Sequence, residues 1–196
     1  MPPFLSRTSD FGVPPASADA GAVAGLILAS GMSTRFGPGN KLLARIGGRA
    51  LVERVATTYI AAGLDPVIVV VGFEASLVSA ELACSPVVIV PNPNFGAGQS
   101  RALVRGVRNL PASAPAAVIG VADQPFLTPR VIEALIEAYR ARAPRIVAPL
   151  FSGRRGNPVL FDRSLFGVRM VTVERSHFPR SATFQIIGRR QIAFFV

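Results

Sequence analysis

Five short apolar segments are spaced along the chain, and the stretches between them carry apolar residues every three or four positions. Continuous apolar runs rich in valine and isoleucine are typical of parallel strands that are covered on both faces. The sequence therefore predicts buried strands at Val23–Ala29, Val67–Val71, Val87–Val90, Ala117–Val121 and Ile146–Leu150.

Helical periodicity fills the intervals between these strands. Apolar residues recur at helical spacing from Leu51 to Ile60, and Gly63 follows where a helix end favours a left-handed residue. A second helix is predicted after Thr128 as the N-cap and Pro129 at the first helical position. Further stripes cover Leu103–Leu110 and, more weakly, Phe73–Ala83. Alternating strands and helices predict a Rossmann-like, three-layer α/β/α fold whose mostly parallel sheet binds ligands at the carboxyl ends of its strands.

Length and composition indicate one globular domain. The chain has 196 residues, 50% of them hydrophobic. We expect a disordered leader over residues 1–20, the domain over residues 21–166 and an atypical basic tail over residues 167–196. No apolar run approaches the ~18–20 residues of a membrane helix, and the leader lacks the pattern of a secretory signal. We therefore expect a cytoplasmic protein with no membrane partner, in which the single cysteine, Cys84, is a small buried apolar residue.

The chain is strongly basic, with a formal net charge of +10. Its basic residues are scattered, and no block of five or six like charges occurs. Phosphate-bearing small molecules suit this charge as well as nucleic acid does, and we expect no nucleic-acid partner.

The residues after the first strand, from Leu28 to Lys41, read LASGMSTRFGPGNK. Small residues let the backbone N–H groups approach phosphate oxygens, and Arg35 and Lys41 add positive charge. The Gly-Lys-Ser/Thr ending of a Walker loop and the Gly-x-Gly-x-x-Gly dinucleotide fingerprint are both absent. The segment is predicted to cradle an anion, with an ordinary flexible loop as the alternative.

This loop resembles the signature Leu-Ala-Ala-Gly-x-Ser-x-Arg-x-Gly-x-x-Lys of the MobA-like nucleotidyltransferases, and most closely that of the molybdenum cofactor cytidylyltransferases. It differs at Ser30, which replaces the second Ala, and by one extra residue before Lys41. The resemblance covers roughly Val23 to Phe166 and implies the fold of nucleotide-diphospho-sugar transferases. It also implies catalytic roles for Arg35 and Lys41. The nucleotide-binding residues that it implies in the loop are Leu28, Ala29, Ser30, Gly31, Ser33, Arg35 and Lys41.

A second segment, Asn92-Pro93-Asn94-Phe95 followed by Gly98-Gln99-Ser100, is similar to the family's segment beside the base and ribose. The resemblance implies that Asn92, Gly98 and Ser100 bind the nucleotide, and a helix N-terminus there suits an anion. Arg101 is unusual for the family at its position, and Ala102 stands where the family has Ser. A turn followed by a capped helix is the alternative.

Asp123 directly follows a predicted strand, where its carboxylate is placed to hold Mg²⁺ together with substrate phosphates. The sequence Asp123-Gln124-Pro125 resembles the family's metal-binding motif. The resemblance implies that Asp123 is catalytic and the metal ligand, and that Gln124 contacts the acceptor.

The acceptor site is also implied by Gly156-Asn157-Pro158, which is similar to the family's Arg-Gly-x-Pro-x-x-Phe stretch. The preceding Arg154 and Arg155 either meet an acceptor phosphate or are solvated.

The activity implied is transfer of a nucleotidyl group, CMP from CTP, to a molybdopterin-type acceptor with release of diphosphate. CTP is favoured because the guanylyl branch of the family has Gly-Gly where this chain has Ser30-Gly31. The methylerythritol phosphate cytidylyltransferases and sugar-phosphate nucleotidyltransferases are alternatives, but both usually have Pro at the position of Asn40. A further alternative is a non-catalytic assembly factor that binds the cofactor and delivers it to a molybdenum hydroxylase.

The C-terminal tail departs from the family. Family members carry an acidic segment, commonly Asp-x-Asp-Thr-Pro, whose Asp completes the metal site. The tail has five arginines, a single acid at Glu174 and the only histidine, His177, to which we assign no role. A shifted reading frame or a divergent end explains this composition, and we expect weak activity.

Overall fold

The computed structural model describes residues 21–33, 37, 39–151, 154–167, 169–173 and 191–195. The strands are β1 (Ala24–Ala29), β2 (Arg45–Ile46), β3 (Arg49–Ala50), β4 (Val67–Val71), β5 (Val87–Pro91), β6 (Ala116–Val121), β7 (Ile146–Val147), β8 (Leu150–Phe151), β9 (Arg154–Arg155), β10 (Val159–Asp162), β11 (Arg169–Val173) and β12 (Gln191–Phe195). The helices are α1 (Leu51–Ala61), α2 (Ala75–Glu81), α3 (Gln99–Arg108) and α4 (Pro129–Arg142). Short 3₁₀ turns lie at Lys41–Leu43, Phe95–Ala97 and Arg163–Leu165.

The central sheet has six strands in the order β5-β4-β1-β6-β10-β7. Strands β5, β4, β1 and β6 are mutually parallel, and β10 runs antiparallel to both of its neighbours. The predicted mostly parallel sheet is therefore confirmed. The strand predicted at Ile146–Leu150 is divided between β7 and β8, because the intervening Pro149 has no N–H to donate to a ladder.

Side chains alternate between the two faces of the sheet and build a core on each. Ile27 and Ala29 of β1 face α1, α2 and α4, whereas Leu26 and Leu28 face α3. All residues of β1, β4 and β6 are buried, which explains their continuous apolar runs. The predicted three-layer α/β/α architecture is confirmed.

Helix α1 ends and helix α4 begins where the sequence predicts. Gly63 follows α1 with a φ of +74°, and α4 begins at Pro129 with Thr128 as its N-cap residue. The expectation that Cys84 is buried is wrong, because this residue is exposed. It lies in the turn after α2, where Leu82 fills the adjacent core position.

A glycine lets α3 pack closely on the sheet. A Cβ built at Gly106 would lie 2.8 Å from Leu26 Cδ2 and 3.0 Å from Val70 Cγ2, so a side chain there has no room. The backbone of α3 therefore lies directly against the side chains of β1 and β4.

The described part of the tail forms a separate pair of parallel strands, β11 and β12, and β11 lies beside α3. Glu174 and His177 fall outside the described residues. Within the described part of the chain, no helix has the length and apolar character that crossing a membrane requires.

Candidate functional site

The loops that follow β1, β4, β5 and β6 meet at the carboxyl edge of the sheet. From β1 the chain first adds β4 and β5 on one side and then returns to add β6 on the other side, so the strand order reverses at β1. Open α/β sheets bind ligands in the crevice at such a reversal. Strand β10 begins at this edge because it runs antiparallel to β6, with Val159 opposite Ile119. Four predicted segments, at Ser30, Asn92, Asp123 and Asn157, are therefore gathered at one edge.

Lys41 and Asp123 form an ion pair at this edge. Lys41 Nζ donates a hydrogen bond of 2.7 Å to Asp123 Oδ2, although the residues are 82 positions apart. Their side chains are 35% and 38% exposed, so both remain open to solvent and ligand. The predicted phosphate-binding cation thus contacts the predicted metal ligand. Arg35, the second predicted loop cation, lies outside the described residues.

Asn40 organises the end of the loop, a role that the sequence analysis missed. Its buried Oδ1 accepts hydrogen bonds from Leu42 N at 3.0 Å and Ser33 Oγ at 3.3 Å, and its Nδ2 donates to Phe73 O at 3.1 Å. The Lys41 N–H donates in turn to Ser33 Oγ at 3.2 Å. Asn is a common N-cap residue, and Asn40 directly precedes the short helix at Lys41–Leu43. This preference is the sequence signal from which the role of Asn40 could have been predicted. These bonds tie Lys41 to the loop after β4.

The two predicted nucleotide segments meet across Gly72. A Cβ built at Gly72 would lie 2.7 Å from Ser30 Cβ and 2.6 Å from Phe95 Cβ, so a side chain has no room here. Ser30 is itself buried, whereas Gly31 is half-buried, with no described atom within 4 Å of a Cβ built on it.

Several polar side-chain atoms at this edge lack hydrogen-bond partners among the described residues. Asn92 is 4% exposed, and its backbone N–H donates to Val71 O at 2.7 Å, but its Nδ2 has no acceptor. The buried Oε1 atoms of Gln99 and Gln124 also have no donor. Most buried polar groups in proteins are paired, so unpaired ones at a sheet edge indicate where a ligand or water binds.

The predicted start of α3 has a backbone suited to contacting a ligand. Gly98 is its N-cap residue, with a φ of +91° and no side chain to cap the helix. Ser100 lies in the first turn, where the helix dipole is positive.

The predicted acceptor residues come together as the sequence suggests. Gln124 Nε2 donates to Asn157 O at 3.3 Å, and Pro158 packs against Gly120 of β6, where a built Cβ would lie 3.0 Å from Pro158 Cβ. Gly156 N donates to Pro149 O at 2.9 Å, which fixes the turn before β10.

Arg154 and Arg155 precede this turn, and only Arg155 has a described side chain. Arg155 is half-buried, and desolvation lowers the pKa of its guanidinium. The side chain of Arg154 lies outside the described residues.

The described residues contain no cluster of three or more histidine, cysteine or acidic side chains that could hold a metal. Asp162 is fully buried and is held by Tyr139 and Ser164, so it serves the core. Asp123 is the predicted metal ligand, and oxygen ligands beyond it would have to come from substrate phosphates or water.

This arrangement defines an α/β nucleotidyltransferase, with a small-residue loop after the first strand and a lysine and an aspartate at the carboxyl edge. The chain belongs to the MobA-like NTP transferase family, whose domain matches residues 25–176. The family resemblance of the loop and the assignment to nucleotidyltransferases are thereby confirmed. The match continues past Phe166, where the resemblance read from the sequence ended.

Known relatives agree on the family and the fold. The chain is 31% identical to nicotine blue oxidoreductase of Paenarthrobacter nicotinovorans over 157 residues, which cover 75% of this chain and 74% of that protein. The structure of Rv0371c from Mycobacterium tuberculosis H37Rv matches with a TM-score of 0.70 and 23% identity over 90% of both chains. The manganese complex of the same protein matches with a TM-score of 0.61 and 25% identity, covering 76% of this chain and 74% of that one.

Proposed function

We propose that this chain transfers CMP from CTP to a phosphorylated acceptor of the molybdopterin type and releases diphosphate. The observation that carries the proposal is the 2.7 Å contact between Lys41 and Asp123 at the carboxyl edge of the sheet. Membership of the MobA-like NTP transferase family supports nucleotidyl transfer as the reaction class.

The donor's phosphates are assigned to the loop between Leu28 and Lys41. The backbone of the half-buried Gly31 and the Lys41 ammonium offer donors to phosphate oxygens, and Arg35 is assigned to the same task. Asn40 positions Lys41, because its side chain caps the short helix that begins there. The same network joins the loop to Phe73 and limits its movement.

A divalent cation fits at Asp123. The Asp123 carboxylate already contacts one cationic group, the Lys41 ammonium, and it is partly exposed. The residue would hold Mg²⁺ together with triphosphate oxygens, and the ion would offset charge that develops on the phosphates. The manganese complex of the mycobacterial relative supports a divalent ion in this type of fold.

The acceptor is assigned to the region where Gln124 contacts the Asn157 carbonyl, bounded by Gly156 and Pro158. An acceptor phosphate oxygen there attacks the α-phosphorus of the donor, and diphosphate leaves with the electron pair of the broken bond. Transfer of this kind depends on positioning and charge stabilisation, so no protein nucleophile is needed.

The name of the curated relative favours a second candidate, an oxidoreductase that binds a nucleotide-containing redox cofactor at the same loop. The lack of the family's Asp-x-Asp-Thr-Pro segment in residues 167–196 favours a third candidate, the assembly factor that delivers cofactor to a molybdenum hydroxylase without turnover.

One assay separates these candidates. Purified chain is incubated with Mg²⁺, molybdopterin and each nucleoside triphosphate, and diphosphate release is measured beside consumption of reduced nicotinamide cofactor. The proposal expects diphosphate release, fastest with CTP, which Asp123→Asn abolishes and the exposed α4 variant Glu133→Gln leaves intact. Cofactor oxidation without diphosphate release would instead establish the oxidoreductase. Tight molybdopterin binding with neither activity would establish the assembly factor.

A further inference from the structure

A second cleft lies along the exposed side of α3, outside the region of the ion pair. Its volume is about 390 Å³, and neither Lys41 nor Asp123 lines it. The polar residues that line it are Asn92, Asn94, Arg101, Arg105, Arg108 and Asn109.

Three arginines form one face of this cleft. Arg101, Arg105 and Arg108 are spaced at i, i+4 and i+7, so they project from the same side of α3 over about 10 Å of helix. All three are exposed, and no carboxylate in the described part of the chain pairs with any of them. The helix contains no acidic residue, so among the described residues its positive charge has no balancing carboxylate.

Helix stability accounts for only part of this charge. Arg105 and Arg108 lie in the last turn of α3, where the helix dipole favours cations. Arg101 lies in the first turn, where the dipole is positive and a cation is disfavoured. The guanidinium of Arg101 and the nearby helix N-terminus both attract an anion.

Asn92, which belongs to the predicted nucleotide segment at the edge of this cleft, supplies a second indication of a ligand. It lines the cleft and is 4% exposed, yet its Nδ2 has no hydrogen-bond acceptor among the described residues. A buried amide donor without an acceptor is costly and rare. An anionic oxygen bound in the cleft would supply an acceptor for this amide.

We propose that the α3 cleft binds the phosphate chain of a small oligophosphate. Its volume lies within the range of small-molecule pockets, about 300–1,000 Å³. A chain of linked phosphates repeats its charge along its length, as the three arginines do, whereas a single phosphate reaches only part of the row. The ligand is therefore a free oligophosphate or the phosphate tail of a nucleotide.

The test measures oligophosphate binding in the Lys41→Ala variant, in which the predicted nucleotide loop is weakened. Calorimetric titrations use inorganic phosphate, tripolyphosphate and CTP. We expect tripolyphosphate to bind with one-to-one stoichiometry and inorganic phosphate to bind at least about tenfold more weakly. CTP that binds no better than tripolyphosphate shows that only the phosphates are recognised, and tighter CTP binding identifies a nucleotide as the ligand.

Charge-matched double variants in the same background locate the site. Arg105→Gln with Arg108→Gln should weaken tripolyphosphate binding by about tenfold or more. Arg140→Gln with Arg142→Gln removes two exposed arginines from the last turn of α4, on the other face of the sheet, and should change binding less than about twofold. Circular dichroism confirms that each variant is folded.

Absence of tripolyphosphate binding in Lys41→Ala would overturn the proposal, as would equal losses in the two double variants. Displacement of tripolyphosphate by an acidic peptide or RNA at lower concentration would assign the cleft to a macromolecule instead. No readout depends on diphosphate release, so the result is independent of the proposed transferase activity.

Discussion

The Lys41 ammonium lies 2.7 Å from the Asp123 carboxylate, so the predicted phosphate-binding cation and the predicted metal ligand neutralise each other in this structure. Both side chains are more than a third exposed, and such pairs contribute about 0–1 kcal/mol. Separating them therefore costs little. A triphosphate would attract Lys41 away from Asp123 and so free the carboxylate for a metal ion. A divalent cation would attract Asp123 away from Lys41 and so free the ammonium for phosphate.

Replacing Lys41 should have opposite effects on the two ligands. In Lys41→Ala, triphosphate affinity should fall about tenfold or more, because an ammonium that faces phosphate oxygens is lost. Manganese binding without nucleotide should strengthen, because the Asp123 carboxylate is released from its ion pair. Calorimetry with CTP and with Mn²⁺ measures both, and the melting temperature should change little. Unchanged triphosphate affinity in a folded variant would contradict this prediction.

The base of the donor should matter by at least about tenfold, or about 1.4 kcal/mol, in favour of CTP over GTP and ATP. The prediction rests on the Ser30-Gly31 pair, in which Ser30 is buried and Gly31 is half-buried, so we assign the discrimination to the position of the Gly31 backbone. Competition titrations with the three triphosphates measure the order. A lower dissociation constant for GTP would place the chain with the guanylyl branch.

Turnover should be slow even where nucleotide binds. Asp123 offers one carboxylate, and Mg²⁺ gives up water reluctantly and is carried mainly by phosphates, so metal should bind weakly without nucleotide and much more tightly together with it. Replacing residues 167–196 with a family-like acidic end should raise the rate of diphosphate release. Asp123→Asn in that hybrid should abolish it, which provides the control. Full turnover by the unaltered chain would show that another residue completes the site.

The two tyrosines of the chain should respond differently to loss of their hydroxyls. Tyr139 OH donates to Asp162 Oδ2 at 2.7 Å, and Asp162 is fully buried, so Tyr139→Phe should destabilise the fold by about 1–3 kcal/mol. Tyr59 OH is buried without a partner among the described residues, so Tyr59→Phe should be neutral or stabilising. Urea denaturation measures both. Equal destabilisation by the two variants would contradict the assignment.

Alkaline pH should unfold the protein through the same two residues. Burial raises the pKa of Tyr59, and burial together with the Asp162 carboxylate raises the pKa of Tyr139. Above about pH 10 the unfolded chain loses tyrosine protons that the folded chain retains. The free energy of unfolding should therefore fall as the pH rises above about 10, and below that pH these two tyrosines should not affect it. Ultraviolet titration should show tyrosinate appearing only together with unfolding. A tyrosinate signal near pH 10 in folded protein would contradict this.

The strands and helices were predictable where a local pattern specifies them. The continuous apolar runs predicted β1, β4 and β6, because strands that are buried on both faces have apolar residues at every position. Strand β10 was not predicted as a strand, because a segment of four residues gives only a weak pattern. Its antiparallel direction depends on pairing with β6, which lies far away in sequence. The predicted strand at Ile146–Leu150 contains Pro149, but the prediction did not include the interruption that this proline causes.

The site was predictable in part for the same reason. Lys41 and Asp123 follow different strands, and the common carboxyl edge of a parallel sheet brings such residues together. Their direct pairing depends on side-chain conformations that no periodicity encodes. The hydrogen bonds of Asn40 and the unpaired amide of Asn92 arise from contacts with distant segments and were likewise missed. Arg35 lies outside the described residues, so its role stays a prediction.

The close packing of α3 over Leu26 links core volume to ligand affinity. Gly106 allows the helix to lie close to the sheet, and the N-cap residue of the same helix, Gly98, belongs to the predicted nucleotide site. A methyl group at position 106 would displace the Leu26 and Val70 side chains or shift the helix outward, and an outward shift would carry its first turn away from the loop after β1. Among related sequences, a larger residue at position 106 should therefore accompany a smaller one at position 26. Nucleotide affinity could then diverge between relatives whose ligand-contacting residues are identical.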